Sequence, residues 1–287
     1  MVAKKTSSGA RAQAAKAVKV AIQGELGSFS HQASLRFFGA GSEPVHAGSF
    51  ERSFEAVARK EADYAVIPIE NSLAGSIHKN FDLLARHSLE IVAETSLRIE
   101  HCLIAAPGVS FRQVKRVYSH PVALEQCTKL LGRMKGVERV PFYDTAGSVK
   151  FVSEQRPRDA AAIASVKAAT VYGMNVIKHG VEDDPENYTR FLALARHGGR
   201  RRDGDKTSIV FGLRNEPGVL FKALSVFALR DIDMTKIESR PIRGTPWEYL
   251  FYLDLGIGAS SPECRNALRH LRELTLYFKL LGSYSAV

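Results

Sequence analysis

The feature that most constrains the fold is a regular alternation of short apolar segments with longer amphipathic ones. "KVAIQG" predicts a first strand, and "ELGSFSHQASLRFF" predicts a turn followed by a helix. "DYAVIPIE", "KRVYSHP" and "DAAAIAS" repeat the strand pattern, each with a helical segment nearby. Such alternation favours βαβ units around a parallel sheet. A long β-rich stretch near residue 100 separates two sets of these units, which predicts two α/β lobes with a cleft between them.

The C-terminal part has a different pattern. It reads as βαββαβ, from "KTSIVFGLR" to "TLYFKLLGSYSA", which indicates a small split-βαβ, ferredoxin-like domain. The predicted organisation is a basic tail at 1–17, the two-lobed domain at 18–195, a basic linker at 196–205 and the small domain at 206–287. Lobe 1 is expected at about 18–98 plus 188–195, and lobe 2 at about 99–187.

The net charge of +10 is concentrated outside the predicted folded parts. Residues 1–19 contain five basic residues and no acid, and residues 196–206 contain five bases and two acids. The remainder is nearly balanced, and no nucleic-acid-binding motif accompanies the basic runs. We therefore expect solvated segments and no nucleic-acid partner.

The cysteine pattern indicates a reducing compartment. Cys102, Cys127 and Cys264 are an odd number, lie far apart and form no C-x-x-C motif, so neither a disulfide framework nor a zinc site is expected. No apolar run approaches the about 18 residues of a membrane span, and the N-terminus lacks a secretory core. The basic, alanine-rich tail faintly resembles a transit peptide, but its shortness favours a disordered tail. We expect a cytoplasmic protein with no membrane contact.

Three polar clusters follow predicted strands: Glu70-Asn71-Ser72, Ser119-His120 and Asp144-Thr145. Ligands of open α/β sheets bind beyond the carboxyl ends of the strands. Any one of these clusters fits an ordinary turn or cap, but three at equivalent places predict a binding site in the cleft.

Several blocks together resemble prephenate dehydratases that carry a C-terminal regulatory ACT domain. They include "VIPIENSLAGSIHKNFDLL", "SHPVALEQC", "DTAGS", "NYTRFLAL" and "PGVLFKALSVFALRDIDMTKIESRP", and the resemblance covers nearly all of residues 18–287. It implies a periplasmic-binding-protein-like, two-lobed catalytic domain. It also implies that prephenate loses CO2 and water to give phenylpyruvate, without metal or cofactor. "IENSLAGSIHKNFDLL" and the central helix of the C-terminal domain also resemble plant-type arogenate dehydratases, so arogenate is the alternative substrate.

The resemblance also implies the roles of individual residues. Thr189 is the expected acid or hydrogen-bond donor to the leaving hydroxyl. The expected substrate-binding residues are Asn71, Ser72, Ser119, Gln126, Thr145 and Phe191, together with Arg190 and His120. An extended segment would place Thr189 and Phe191 on one side and Arg190 on the other. His120 fits a loop hydrogen bond as well as a substrate contact, and Glu70 is expected to be structural.

For the small domain, the resemblance implies L-phenylalanine as an effector, bound between paired domains of a homodimer or homotetramer. The expected residues are Asn215, Pro217, Gly218, Val219, Leu220, Glu238, Ser239 and Arg240. A domain that only dimerises is the alternative. A two-lobed sensor without catalysis is a further one, and such a receptor would not need to retain Thr189, Arg190 and Phe191.

Overall fold

A computed structural model describes residues 17–198, 204–242 and 244–287. Apart from residue 17, the predicted basic tail lies outside the described residues, as do residues 199–203 of the predicted linker. Within the described chain the predicted architecture is confirmed: two α/β lobes precede a βαββαβ domain.

The first sheet contains strands from both ends of the two-lobed part. Its strands are β1 Lys19–Gln23, β2 Glu43–Ala47, β3 Tyr64–Asn71, β4 Gly75–Ser76, β5 Leu89–Arg98 and β11 Tyr188–Arg196, in the order β2-β1-β3-β11-β5 with β4 paired to β3. Its helices are α1 Phe29–Phe38, α2 Phe50–Ala58 and α3 His78–Arg86. The sheet places β3 and β11 side by side at its centre.

The second sheet is built entirely from the middle of the chain. Its strands are β6 Cys102–Ala105, β7 Arg116–Ser119, β8 Glu138–Pro141, β9 Ala160–Ala164 and β10 Asn175–Lys178, in the order β10-β6-β9-β7-β8. Its helices are α4 Pro121–Glu125, α5 Thr128–Arg133, α6 Thr145–Gln155 and α7 Val166–Val171, with a short 3-10 turn at Phe111–Gln113.

Both sheets are mixed rather than purely parallel. β1 pairs in parallel with β2 and β3, and β7 does so with β8 and β9, as alternation predicts. However, β11 is antiparallel to both β3 and β5. The chain leaves the first lobe at the end of β5 and returns at the start of β11, so these neighbouring strands must run in opposite directions. The two crossing segments, residues 99–101 and 179–187, form the hinge between the lobes.

The helices begin where short polar side chains accept hydrogen bonds from the first turn. Ser28 caps α1, Asp144 caps α6 and Ser165 caps α7 in this way. None of the described helices could cross a bilayer, because the longest has 13 residues against the about 20 that a span requires.

The C-terminal domain covers one face of its sheet with two helices and packs the other face on lobe 1. It comprises β12 Lys206–Gly212, α8 Val219–Ala228, β13 Met234–Pro241, β14 Tyr249–Leu255, α9 Pro262–Leu274 and β15 Tyr277–Tyr284, with strand order β13-β14-β12-β15. Val210, Tyr252 and Leu281 share one hydrophobic core with Ile67 and Phe81 of lobe 1. The sheet of this domain therefore completes the core of the first lobe.

Candidate active site between the two lobes

A cavity of about 400 Å³ lies between the lobes. The polar residues that line it are Gln23, Ser28, Ser30, Asn71, Ser76, His101, His120, Gln126, Tyr143, Asp144, Thr145 and Thr189. Phe29, Phe50 and Phe191 give it an aromatic wall. The volume and the combination of an aromatic wall with polar side chains are typical of small-molecule sites. Among the described lining residues none is a lysine or an arginine, so an anionic ligand has to be held by neutral donors.

Most of the site residues predicted from the sequence lie at this cavity. Asn71, His120, Gln126, Thr145, Thr189 and Phe191 all line it. Thr189 and Phe191 share the cavity face of β11, with the side chain of Arg190 between them on the other face, as an extended segment requires.

Ser72, Ser119 and Arg190 do not line the cavity, although substrate contacts were expected from them. The Ser72 hydroxyl donates to the carbonyl of Glu186 at 2.8 Å and accepts from the amide of Tyr188 at 2.9 Å. Ser119 is fully buried and donates to the carbonyl of Ile163 at 2.6 Å. The guanidinium of Arg190 pairs with Glu94 of β5 and with Asp254 of the C-terminal domain. Each of these polar groups already has protein partners away from the cleft.

Asn71 and Thr189 form the centre of the site. They are directly opposite each other in the β3–β11 ladder. The Asn71 Oδ1 accepts from the backbone amides of Leu73 and Ala74 at 3.1 and 2.8 Å, and this fixes the orientation of the side-chain amide. Its NH2 group must therefore face Thr189, where Nδ2 lies 2.9 Å from Oγ1. Because the Thr189 oxygen accepts this bond, its own hydrogen is left for an acceptor in the cavity.

The same orientation is transmitted across the hinge by Asn187. This buried residue accepts from Asn71 Nδ2 at 2.7 Å and donates its own NH2 group to Gln126 Oε1 at 3.0 Å. The Gln126 oxygen is thus turned toward Asn187, which leaves the Gln126 NH2 group for a ligand. The network therefore presents two neutral donors, the hydroxyl of Thr189 and the amide of Gln126, at the cavity.

His101 ends this network in a defined tautomer. Its Nε2 lies 3.2 Å from Gln126 Oε1, and since that oxygen is an acceptor, Nε2 must carry the hydrogen. Burial lowers the pKa of His101, so the ring is neutral at pH 7. The Nδ1 atom is buried without a hydrogen-bond partner among the described residues. His101 lies within "IEHCLIAAP", and Asn187 lies two residues before Thr189 in "NYTRF". Neither residue was predicted from the sequence, because its type alone does not indicate a site.

Helix starts from both lobes meet at the cavity. Ser28 and Ser30 belong to the start of α1, and Asp144 and Thr145 belong to the start of α6. The amides of a helix start and the helix dipole favour a bound anion. The carboxylate of Asp144 caps α6, since its Oδ1 accepts from the Gly147 amide at 2.7 Å. Burial raises the pKa of Asp144. His120 caps α4, since its Nδ1 accepts from the Val122 amide at 3.3 Å. This bond is the local hydrogen bond that was the alternative to a substrate contact.

One group of potential metal ligands occurs in the described chain, away from the cavity lining. Glu100, Cys102 and His179 lie within ligand distance of one another at the hinge. Burial and the nearby Glu100 raise the pKa of Cys102 to about 11, so the thiol is protonated at neutral pH. Glu100 already pairs with Arg98 at 3.6 Å. The ion pair of Glu100 and the protonated thiol of Cys102 indicate that these three residues stabilise the hinge.

A second, smaller cavity of about 230 Å³ lies in the C-terminal domain. Asn215, Gly218, Val219 and Leu220 line it, together with Trp247 and Tyr249. Of the remaining residues expected at an effector site, Pro217 is not part of the lining, and Ser239 is exposed on β13. Glu238 and Arg240 contact lobe 1 instead, through Ser76 at 2.6 Å and Asp82 at 3.2 Å. Within one chain the two halves of the expected effector site are therefore separate.

Comparison with known proteins gives two family matches. The family model described as prephenate dehydratase matches residues 20–199, and the one described as ACT domain matches residues 207–272. A relative from Arabidopsis thaliana, named arogenate dehydratase/prephenate dehydratase 2, chloroplastic, is 48% identical over 280 residues. That alignment covers 93% of this chain and 72% of the relative.

Solved structures share the whole architecture. A prephenate dehydratase from Arthrobacter aurescens, solved in complex with L-Phe, has a TM-score of 0.85 at 31% identity, covering 93% of this chain and 90% of that one. GqqA, described as a novel type of quorum quenching acylases, also has a TM-score of 0.85, at 32% identity, covering 94% and 98%.

Proposed function

The chain belongs to the prephenate dehydratase family, and from that premise we propose that its cleft converts prephenate to phenylpyruvate. In this reaction the bond to the ring carboxylate breaks and releases CO2, and its electron pair enters the ring. The C4–oxygen bond breaks at the other end, and the departing hydroxyl takes one proton to leave as water. The ring becomes aromatic, which supplies the driving force.

The observation that carries this proposal is the Asn71–Thr189 pair. The amide of Asn71 occupies the oxygen of Thr189, and the hydroxyl hydrogen is thereby directed to a ligand. A threonine hydroxyl is a poor acid, so its role is to polarise the leaving hydroxyl as negative charge develops on it. Removal of one positioned hydrogen-bond donor of this kind lowers kcat by about 10²–10³-fold.

The cavity suits a doubly charged substrate without any cationic side chain. The amide of Gln126 and the helix starts at Ser28 and Thr145 supply donors for the two carboxylates. Phe191 and Phe29 form an apolar wall for the ring. Neutral donors also allow the ring carboxylate to leave as CO2, because no ion pair has to be broken.

The choice between prephenate and arogenate is the finer part of the proposal. The two substrates differ where one carries a keto group and the other an ammonium group. Prephenate is the leading candidate, and the named relative includes both activities in its name. Purified protein should be incubated with each substrate while phenylpyruvate and L-phenylalanine are quantified. Consumption of neither would refute the proposal, and the acylase activity named for GqqA should be assayed in parallel.

We further propose that L-phenylalanine regulates the enzyme by binding at the turn that starts α8. The cavity there offers the backbone amides of Asn215 and Gly218 for a carboxylate and Leu220 with Trp247 for the ring. The relative from Arthrobacter aurescens was solved with L-Phe bound. Calorimetric titration of L-phenylalanine into the full chain tests this, and an absence of heat and of inhibition would leave a domain that only dimerises.

A homodimer or homotetramer through the ACT domain completes this proposal. Phe221, Leu229 and Trp247 are large apolar side chains of this domain that are largely exposed in the single chain. Exposed apolar groups of this size are typical of a protein contact. Light scattering of the purified chain gives the mass, and a monomer at micromolar concentration would contradict this proposal.

We propose a cytoplasmic location as well. The three cysteines are unpaired and buried, which fits a reducing compartment. "Chloroplastic" is part of the name of the Arabidopsis relative and is said of that protein alone. Fractionation of the source cells with an antibody to this chain decides the location.

A further inference from the structure

The cleft residues Asn71 and Thr189 have neighbours that point the opposite way. In the β3–β11 ladder Thr189 is opposite Asn71, and Arg190 is opposite Glu70. Successive side chains of a strand lie on opposite faces. Asn71 and Thr189 face the cavity, whereas Glu70 and Arg190 face the ACT domain.

Arg190 is held by two buried carboxylates, one from the ACT domain and one from β5 of lobe 1. Its Nη1 lies 2.7 Å from Asp254 Oδ2, and its Nη2 lies 2.6 Å from Glu94 Oε2. Lys206 of the ACT domain binds the same Glu94 carboxylate at 2.8 Å. The side chains of Arg190 and Asp254 are only 15% and 10% exposed. Removal of one member of such a group leaves a buried charge unpaired, which is costly.

Glu70 makes the corresponding contact from β3. Lys236 of β13 donates to Glu70 at 2.9 Å and to the Ser76 hydroxyl at 3.3 Å. Ser76 lines the cavity and donates to Glu238, also on β13, at 2.6 Å. The hairpin at residues 71–76, which forms one wall of the cleft, is therefore fixed by the ACT strand on its far side.

We propose that Arg190 and Glu70 are positioning residues through which the ACT domain fixes Thr189 and Asn71 in their reactive arrangement. A small shift of either strand would lengthen the 2.9 Å contact between Asn71 and Thr189. That contact orients the Thr189 hydrogen, so its loss should lower kcat more than it changes KM. The catalytic consequence rests on the proposed dehydratase function, whereas the positioning itself does not.

The test compares two isosteric changes at the interface between lobe 1 and the ACT domain. Asp254→Asn removes the carboxylate of the ACT domain that pairs with Arg190, and Asp82→Asn removes the carboxylate of lobe 1 that pairs with Arg240. The two pairs join the same domains and are similarly buried, with side-chain exposures of 15% and 10% against 19% and 17%. We expect Asp254→Asn to lower kcat by about tenfold with KM nearly unchanged, and Asp82→Asn to leave kcat within about twofold.

Two further variants separate positioning from general damage. Lys236→Met removes the contact to Glu70 and should lower kcat in the same manner as Asp254→Asn. The double variant Arg190→Gln/Asp254→Asn should lose no more activity than the worse single variant, because Arg190→Gln already breaks the contact that Asp254→Asn removes. Equal losses in Asp254→Asn and Asp82→Asn, or no loss in either, would overturn the proposal.

A measurement independent of activity distinguishes this proposal from the proposed function. Hydrogen exchange of the peptide that covers residues 186–192 should be faster in Asp254→Asn than in wild type and unchanged in Asp82→Asn. Inactive wild-type protein with this exchange pattern would refute the dehydratase function and support the positioning. Active wild-type protein with equal exchange in both variants would support the dehydratase function and refute the positioning.

Discussion

At the scale of single residues, the chemistry of the cleft is set by backbone amides rather than by charges. The amides of Leu73 and Ala74 orient Asn71, and each later member of the network, from Asn187 through Gln126 to His101, inherits its orientation. Neutral networks of this kind cost little to bury because the polar atoms that do not face the cavity have partners within the protein. The unpaired Nδ1 of His101 is the one departure within this network.

His101 can be tested with two substitutions that each retain one nitrogen position. Gln places its amide near Nε2 and keeps the donor to Gln126, whereas Asn places its polar atoms near Nδ1 and cannot reach Gln126. We expect His101→Gln to keep kcat and KM within about twofold, and His101→Asn to raise KM by about fivefold, because Gln126 loses a partner. Steady-state kinetics on both variants decides this. Better activity in His101→Asn would mean that Nδ1, not Nε2, is the functional atom.

The buried histidine also predicts a pH dependence of stability. Burial holds the pKa of folded His101 below the ordinary 6.5, so below that pH the unfolded state takes up a proton that the folded state does not. This contribution to stability is therefore present above pH 6.5 and is lost as pH falls toward the folded pKa. Urea unfolding at about pH 7.5 and about pH 5.5 should show a smaller loss for His101→Gln than for wild type. Equal losses would contradict the assignment.

Sequence alone determined a side-chain direction only in an extended segment, and the family resemblance supplied the other expected site residues. The alternation in "TRF" was sufficient to separate Arg190 from Thr189 and Phe191. The hydroxyl of Ser119 was not predictable, because its acceptor is a carbonyl of β9 that becomes adjacent only in the folded sheet. Glu70, Asn71 and Ser72 illustrate both cases: three consecutive residues reach the ACT domain, the cleft and the hinge, and only the cleft contact was implied by resemblance.

At the scale of elements, the turn that follows β1 sets the distance between the lobes. Gly27 has a φ of +86°, and a Cβ there would lie 2.5 Å from the Ala168 Cα of α7. Ser165 at the start of α7 donates to the Gly27 carbonyl at 2.7 Å. Any side chain at position 27 would push the two lobes apart.

Gly27→Ala is therefore expected to lower kcat/KM by about 10²-fold, since a displacement of about 1 Å has that effect on aligned groups. Gly39→Ala is the matched control, because Gly39 has a φ of +77° and a Cβ there meets nothing within 4 Å. Circular dichroism should show both variants folded. Full activity of folded Gly27→Ala would show that the close approach of the lobes is not needed.

The turn before α8 provides the test of the effector site. Gly218 has a φ of +77° and lines the smaller cavity. Gly218→Asp adds bulk and a negative charge where a carboxylate is expected, so L-phenylalanine affinity should fall by about tenfold or more. Gly173→Asp, at a glycine of positive φ with open surroundings in lobe 2, controls for charge and backbone strain. Equal affinities by calorimetry in both variants would place the effector elsewhere.

At the scale of the whole molecule, the ACT domain is part of the catalytic lobe's structure as well as its proposed regulator. Tyr252 and Leu281 pack into the core of lobe 1, and the Tyr252 hydroxyl donates to the Phe81 carbonyl at 2.9 Å. Lys279 donates to the last carbonyls of α3. Deletion of residues 206–287 would expose this core, so full-length point variants are the informative ones.

The order of the elements and the two domain types were predictable because strand and helix patterns are local. The docking of the ACT sheet on lobe 1 was not. Arg190, Glu94 and Asp254 are charged residues that local patterns assign to solvent, and they are buried only because they pair across more than 60 positions of sequence. Local sequence patterns could not predict this docking, because the charges that pair across it come together only in the folded chain.

We propose that the hydroxyl of Thr189, oriented by Asn71, acts on the leaving group. The most direct measurement is kcat on prephenate for Thr189→Val, which has nearly the same shape without the hydroxyl, beside Thr189→Ser, which retains it. We expect Thr189→Val to lose about 10²-fold or more in kcat with little change in KM, and Thr189→Ser to stay within about tenfold of wild type. Wild-type kcat in folded Thr189→Val would contradict the account.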